Sequence, residues 1–391
     1  MQFASITARL AGLGSNKWEI HHLARQLSAS GEPVIELTIG EPDLPPDAAL
    51  LDACDRAMRA GRTRYSNGRG EKAVLAAIAA KYTRRTGRQI TEDNILCFPG
   101  TQTSLFAVLM GLLEAGDKVL APDPYYATYE AVVRSPGAEL VPVRLRASQR
   151  FHLQAEDLEA AIVPGCRLLL LNTPHNPSGA VLTREEIAAI GEVCRKHDLW
   201  IVSDEVYEDL TFGAPFASPF DLPELADRTV VVSSISKSHA APGFRSGWAV
   251  GPVEFARALL PLSESMLFGN QPFIADMTAY ALTHDLPTSG LMRQHYKARA
   301  GLIVEKLHGV AGLKVLPPEA GMFALLDVSA SGMDGHTFAR RLLSEAHVAV
   351  MPGSSFGENA ARFVRLSLTV PDEKLGEACA RIAAFAKQVQ G

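Results

Sequence analysis

The sequence predicts an α/β protein built on a mostly parallel sheet that is covered on both faces. Three observations carry this expectation. Near-continuous apolar runs, such as Arg167-Leu168-Leu169-Leu170-Leu171 and Thr229-Val230-Val231-Val232, recur along the chain before Pro272. Strands that are apolar at almost every position are those buried between helical layers. Stretches of helical spacing separate the runs, as the crossovers of a parallel sheet require. Finally, a polar cluster stands at the carboxyl end of each run, where sheets of this kind receive their ligands.

Composition narrows the class. The chain has 391 residues, 47% of them hydrophobic and 21% charged, with a net charge of -5. That length suits roughly two domains of ~150 to 200 residues. The mild acidity argues against a nucleic-acid binder, which would carry a basic stripe. The short basic cluster Lys81-Tyr82-Thr83-Arg84-Arg85 reads as the polar face of a helix. No charged stretch followed by an apolar core opens the sequence, so no signal peptide is expected. The longest uncharged run, Asn94 to Leu113, contains Pro99 and Gly100 and fits a strand, turn and helix better than a membrane span. Five scattered cysteines form no Cys-x-x-Cys pair, which fits a reduced, cytoplasmic setting without a zinc site.

Taken in order, a helical pattern at Trp18 to Ala24 precedes a strand, Val34-Ile35-Glu36-Leu37, and the turn Gly40-Glu41-Pro42-Asp43. Adjacent His21 and His22 cannot share one helix face and are not a metal pair. A helix near Ala48 to Met58 leads to Arg64-Tyr65-Ser66-Asn67-Gly68-Arg69-Gly70, a turn that lacks the strand and third glycine of a dinucleotide fingerprint. Strand Ile95-Leu96-Cys97-Phe98 runs into Pro99-Gly100-Thr101-Gln102 and an apolar helix. Strand Lys118-Val119-Leu120 ends near Asp123-Pro124-Tyr125-Tyr126, and the run at 167–171 ends at Asn172 to Gly179. A helix from about Arg184 to His197 precedes strand Leu199 to Ser203, which stops at Asp204-Glu205-Val206-Tyr207. The strand before Ser234 and Gly247-Trp248-Ala249-Val250 complete this set. Beyond Pro272 a long helix from about Ser289 to Leu307, strands near 313–315 and 322–326, a helix near Phe338 to Glu345, the segment Val350-Met351-Pro352-Gly353, a strand at 363–368 and a final amphipathic helix form a smaller α+β unit. The expected division is residues 1–47 as an N-terminal segment joining the small domain, 48–285 as the large domain, and 286–391 as the small domain.

The chemistry centres on Ser234-Ile235-Ser236-Lys237, followed by Arg245 after a glycine turn. A lysine amine captures an aldehyde as a Schiff base, while hydroxyls and a guanidinium hold a phosphate. Pyridoxal phosphate carries both groups. Gly100-Thr101-Gln102 opens a helix, whose free amides suit the same phosphate. Asp204 at a strand end suits a pyridinium nitrogen; at about 4 Å and an effective dielectric of ~20 such a pair is worth on the order of 4 kcal/mol. Tyr207 and Asn176 suit the ring's phenolic oxygen, and Tyr126 offers a flat wall for the ring. Singly each has a plainer role: a cap, a core aromatic, a turn. Together, at successive strand ends, they favour one site.

The segments Gly40-Glu41-Pro42-Asp43, Asn176-Pro177-Ser178-Gly179, Ser203 to Tyr207, Ser234 to Lys237 and Val364-Arg365-Leu366-Ser367 resemble those of class I, fold-type I pyridoxal-phosphate aminotransferases. The resemblance runs from about Trp18 to Arg381. It implies a seven-stranded, mostly parallel sheet and a homodimer. It implies Lys237 as the Schiff-base lysine and proton carrier, with Asp204 at the ring nitrogen and Tyr207 and Asn176 at the phenolic oxygen. The phosphate is then held by Thr101, Gln102, Ser234, Ser236 and Arg245, with Tyr65 reaching it from the partner subunit. Arg365 clamps the substrate α-carboxylate, aided by the Gly40 backbone and Asn176. One departure is Ala241-Pro242-Gly243-Phe244, where many relatives carry Met-Thr-Gly-Trp; the proline removes a backbone donor beside the phosphate.

Dicarboxylate-specific members carry an arginine in the stretch matching Glu264 to Pro272, which here has none and contains Glu264. Trp18-Glu19-Ile20-His21, His197-Asp198-Leu199-Trp200 and Ser236 to Ala240 resemble arginine–pyruvate transaminases more than the aspartate branch. The expectation is therefore an L-amino-acid donor, arginine or a broad range, and a 2-oxo acid acceptor such as pyruvate or 2-oxoglutarate. A β-lyase on the same scaffold is the alternative. A pyridoxal-phosphate-sensing regulator is the remote one, disfavoured because the aminotransferase pattern begins near Trp18 and no basic patch accompanies it.

Overall fold

The computed structural model describes residues 2–13, 16–267 and 269–390. Its strands, in chain order, are β1 (Ile35–Leu37), β2 (Ile95–Phe98), β3 (Lys118–Asp123), β4 (Glu139–Arg144), β5 (Cys166–Asn172) and β6 (Trp200–Asp204). They continue with β7 (Thr229–Ser234), β8 (Gly247–Val250), β9 (Lys314–Leu316), β10 (Phe323–Asp327), β11 (Val348–Pro352) and β12 (Phe363–Ser367). Two sheets result. The larger has seven strands in the order β2-β8-β7-β6-β5-β3-β4; the smaller has the order β1-β11-β12-β10-β9.

The chain is thus α/β, with a mostly parallel seven-stranded sheet. Pairings β3/β4, β3/β5, β5/β6 and β6/β7 are parallel, whereas β8 is antiparallel to both β7 and β2. Since β8 alone runs against the others, its amino end lies beside the carboxyl ends of β2 and β7. That reversal brings the segment before Gly247 to the ligand edge of the sheet. Every residue of β7 is buried, as the all-apolar pattern requires of a strand between helical layers. β4 is different: it is an edge strand, partly exposed and containing Pro142. An edge tolerates a proline because one row of its backbone groups pairs with nothing.

The N-terminal strand β1 does not join the large sheet. It pairs in parallel with β11, Ile35 opposite Val348, and its Leu37 belongs to the core beneath the small sheet. No helix among the described residues is long and apolar enough to cross a membrane.

One expectation is corrected. Lys81 and Arg85 do not form a solvated helix face. They lie on a helix, Lys72–Thr86, that buries Tyr82 completely. Lys81 Nζ lies 2.8 Å from Glu208, while Arg85 lies 2.8 Å from Glu205, 2.7 Å from Glu208 and 2.8 Å from Asp221. Charges taken out of water need such partners, and these carboxylates come from the loop after β6 and from a distant turn.

Candidate active site

The polar strand ends converge on a cavity of about 440 Å³. Its lining includes Gly40, Thr101, Gln102, Tyr126, Asn176, Asp204, Tyr207, Ser234, Ser236, Lys237, Arg245 and Arg365. These are all but two of the residues singled out from sequence. Gly100 directly precedes the lining residue Thr101. Tyr65 does not line the cavity and is 91% exposed in the single chain.

Lys237 sits on a one-turn helix, Ile235–Ser238, capped by the Ser234 hydroxyl, which accepts from the Ser236 amide at 3.3 Å. The β-strand ends abruptly there, so the lysine side chain leaves the sheet edge and enters the cavity. Its Nζ donates to the Gly40 carbonyl at 2.5 Å. Burial lowers its pKa to about 8, with Glu41 opposing and the Arg365 and Arg245 charges assisting. A buried ammonium loses hydration, so the neutral, nucleophilic amine becomes accessible near neutral pH.

Asp204 ends β6 and is 5% exposed. Desolvation raises its pKa to about 6, opposed by a hydrogen bond from Tyr129, the Val206 amide and the Lys237 charge. Asn172, at the end of β5, ties the neighbouring strand ends together. Its Nδ2 donates to the Asp204 carbonyl at 2.9 Å, and its Oδ1 accepts from the Asn176 amide at 2.7 Å. Asn176 Nδ2 in turn donates to the Tyr207 hydroxyl at 3.4 Å. Burial pushes the Tyr207 phenol up, so it stays protonated.

A second group gathers at the start of the helix Thr101–Leu112, whose first-turn amides have no partners within the helix. Gly100 caps it at φ +84. A Cβ at that position would be driven into the Arg245 guanidinium, so a glycine is required on both grounds. Arg245 itself donates to the carbonyls of Pro242 at 2.8 Å and Pro99 at 3.3 Å. Pro242 occupies the first position of a short 3-10 turn, where its missing N–H costs nothing, and the departure noted in sequence leaves Arg245 in the cavity. The Thr101 hydroxyl is buried without a hydrogen-bond partner among the described residues. Two serines, a threonine, an arginine and a helix N-terminus form a donor set for a dianion.

Arg365 lies on β12 of the small sheet and is 1% exposed. Its Nη1 donates to Asn176 Oδ1 at 3.0 Å and its Nη2 to the Thr38 carbonyl at 2.6 Å. The guanidinium stands 3.8 Å from the Phe323 ring centre and 4.4 Å from that of Phe356. Burial lowers its pKa to about 10, which still leaves it cationic at neutral pH. A charge held this deeply with Nε unpaired is a counter-ion for an anion brought by a ligand.

Several lining residues were not found from sequence. Trp18, Ile39, Leu105, Val206 and Phe323 wall the cavity with apolar surface. Tyr129 also lines it, and its hydroxyl donates to Asp204 Oδ2 at 2.8 Å. No helical periodicity marks Tyr129, because Tyr126 lies in the turn before the helix that Tyr129 opens. Glu264 is exposed, and its side chain packs on Gly68.

The fold and cavity thus define an α/β enzyme that presents a desolvated lysine between a dianion cradle and a buried arginine. Residues 32–382 match the sequence model of the aminotransferase class I and II family. The chain is 41% identical to an arginine–pyruvate transaminase of Pseudomonas aeruginosa over 391 residues, all of both chains. It is 35% identical to an aspartate aminotransferase of Geobacillus stearothermophilus over 371 residues, 93% of each. Among solved structures, an aspartate aminotransferase from Rhizobium meliloti superposes with a TM-score of 0.94 at 31% identity, covering 99% of each chain. That from Thermus thermophilus with maleate gives 0.92 at 30% identity, covering 98% of this chain and 99% of the other. The protein belongs to the class I and II aminotransferases, a pyridoxal-phosphate-dependent family, and transfers an amino group from an amino acid to a 2-oxo acid.

Proposed function

We propose that this aminotransferase holds pyridoxal phosphate in the cavity and takes a neutral or basic L-amino acid, arginine included, as donor and pyruvate as an acceptor. One observation carries the reading. A single buried lysine stands between a cradle of dianion donors and a buried arginine, the spacing of functions that a phosphate-bearing aldehyde and an α-amino acid jointly require. When bound, pyridoxal phosphate supplies an aldehyde for the amines and a conjugated ring that takes up the electrons freed at the donor Cα.

The protein's own groups then have distinct tasks. Thr101, Gln102, Ser234, Ser236 and Arg245 would hold the phosphate, Asp204 the ring nitrogen, and Asn176 and Tyr207 the phenolic oxygen, with Tyr126 against the ring. Arg365 and the Gly40 backbone orient the donor by its α-carboxylate, with Asn176 fixing the guanidinium. The Lys237 amine takes the proton from the donor Cα; its lowered pKa leaves a neutral fraction for that role near neutral pH. The apolar wall of Trp18, Ile39, Leu105 and Phe323 keeps water from the reacting atoms.

The donor preference rests on charge. Three basic side chains line the cavity: Lys237, Arg245 and Arg365. Each has a task above, which leaves no free cation among the described lining residues for a second carboxylate. Glu41 and Asp204 are the lining carboxylates. The 41% identity to an arginine–pyruvate transaminase supports the same direction.

We further propose a homodimer in which Tyr65 reaches the partner's phosphate site, an assembly that its exposure in the single chain favours. The division proposed is residues 1–47, 48–285 and 286–391, a reading that the membership of β1 in the smaller sheet supports. Five free cysteines support a cytoplasmic setting. The test is a panel of amino acids, with pyruvate or 2-oxoglutarate, read by keto-acid formation. Arginine turnover with pyruvate is expected. Fast aspartate turnover with 2-oxoglutarate and no product from arginine would overturn the donor assignment. Ammonia released without any acceptor would identify a lyase instead.

A further inference from the structure

We propose that Tyr129 is a positioning residue for Asp204, fixing one carboxylate oxygen through its hydroxyl while leaving the full negative charge directed into the cavity. This rests on the cofactor reading above. Tyr129 opens the helix Tyr129–Arg134 and is 1% exposed. Its ring meets that of Tyr126 edge to face, with centres 5.8 Å apart. A phenol buried this completely must find an acceptor, and the one it has is Asp204 Oδ2 at 2.8 Å. The other contact to this carboxylate, from the Val206 amide to Oδ1, is longer at 3.3 Å. Asn172 bonds the Asp204 backbone rather than its carboxylate. Tyr129 is therefore the side-chain hydrogen-bond donor to this carboxylate among the described residues.

The chemistry of the donor matters. A histidinium or arginine in this place would orient Asp204 equally well but would neutralise it, weakening its hold on a protonated ring nitrogen. A neutral phenol orients without cancelling the charge. Burial drives Asp204 towards its protonated form, and Tyr129 opposes that by bonding the ionised form. The other titratable groups facing the carboxylate are Lys237, whose charge also favours ionisation, and the protonated phenols Tyr126 and Tyr207.

The experiment measures pyridoxal phosphate binding to apo-protein by absorbance titration, for wild type, Tyr129→Phe, Asp204→Asn and the double variant. The range runs from about pH 5.5 to 8.5. Tyr129→Phe removes one oxygen from a packed ring, and circular dichroism checks that it folds. The bond is already present in the cofactor-free chain, so its loss acts through the protonation of Asp204, and a pKa raised by about one unit should weaken binding about tenfold at the acid end. The loss should deepen as pH falls, because without the phenol Asp204 takes up its proton at higher pH. In the Asp204→Asn background the same substitution should change little. Wild type that binds while Tyr129→Phe binds equally well at every pH overturns this inference alone. A loss that is independent of pH and persists in the Asp204→Asn background also overturns it, marking a packing role. Wild type that takes up no pyridoxal phosphate overturns the cofactor reading and this inference together.

Discussion

Replacing Arg365 tests the substrate end of the cavity most directly. The guanidinium reaches the site from the small sheet, held by Asn176 and the Thr38 carbonyl and stacked between Phe323 and Phe356. Those contacts fix its plane before a donor arrives, so little ordering is lost when it binds a carboxylate. Two charge-assisted hydrogen bonds to a carboxylate contribute about 1.5 to 3 kcal/mol each. Arg365→Ala should therefore lower kcat/KM by about 10² to 10⁴-fold, at roughly 1.4 kcal/mol per factor of ten. Arg365→Lys keeps the charge but loses the planar fork and both ring stacks, and should recover only part of that loss. The assay is single-turnover absorbance of the bound cofactor against donor concentration, with cofactor affinity measured in parallel. Affinity should stay within about threefold of wild type, since the residues proposed to hold the phosphate lie elsewhere in the cavity. An Arg365→Ala enzyme with unchanged kcat/KM would refute the assignment of the carboxylate site.

Four further outcomes are expected. Lys237→Ala should lose turnover by at least about 10⁴-fold while still binding pyridoxal phosphate, checked by dialysis and spectrum. Gly100→Ala, which drives a Cβ into Arg245 and strains a positive φ, should weaken cofactor binding about tenfold or more in the same titration. If Tyr65 acts across the dimer, mixing Tyr65→Phe and Lys237→Ala subunits should restore one intact site per hybrid, read as recovered turnover above either parent. Asp123 is 4% exposed, and burial raises its pKa to about 6. Its folded form then binds a proton more tightly than the unfolded chain, so its contribution to stability is present below about pH 4 and is lost as pH rises through about 6. Asp123→Asn should flatten that part of a denaturation-versus-pH curve, and an unchanged curve would show that this carboxylate does not titrate in that window.

The local sequence determined a large part of this protein because the relevant physics is local. An apolar run flanked by turn residues buries itself as a strand, and whatever polar group follows it is delivered to the sheet edge. Asn176, Asp204, Tyr207, Ser234 and Lys237 were legible for that reason, and all line one cavity. β4 was not legible: it is a partly exposed edge strand with a proline, so neither its composition nor its periodicity marks it. Lys81 and Arg85 misled because charge in sequence implies water, whereas their carboxylate partners lie more than a hundred residues away. Tertiary structure also decided which way β8 runs, and hence that Arg245 meets the Gly100 turn. It set Arg365 against Thr38, 327 residues apart in the chain, and put the Tyr129 hydroxyl on Asp204. These are contacts between elements distant in sequence, and their geometry follows only from how the two sheets and their helices pack.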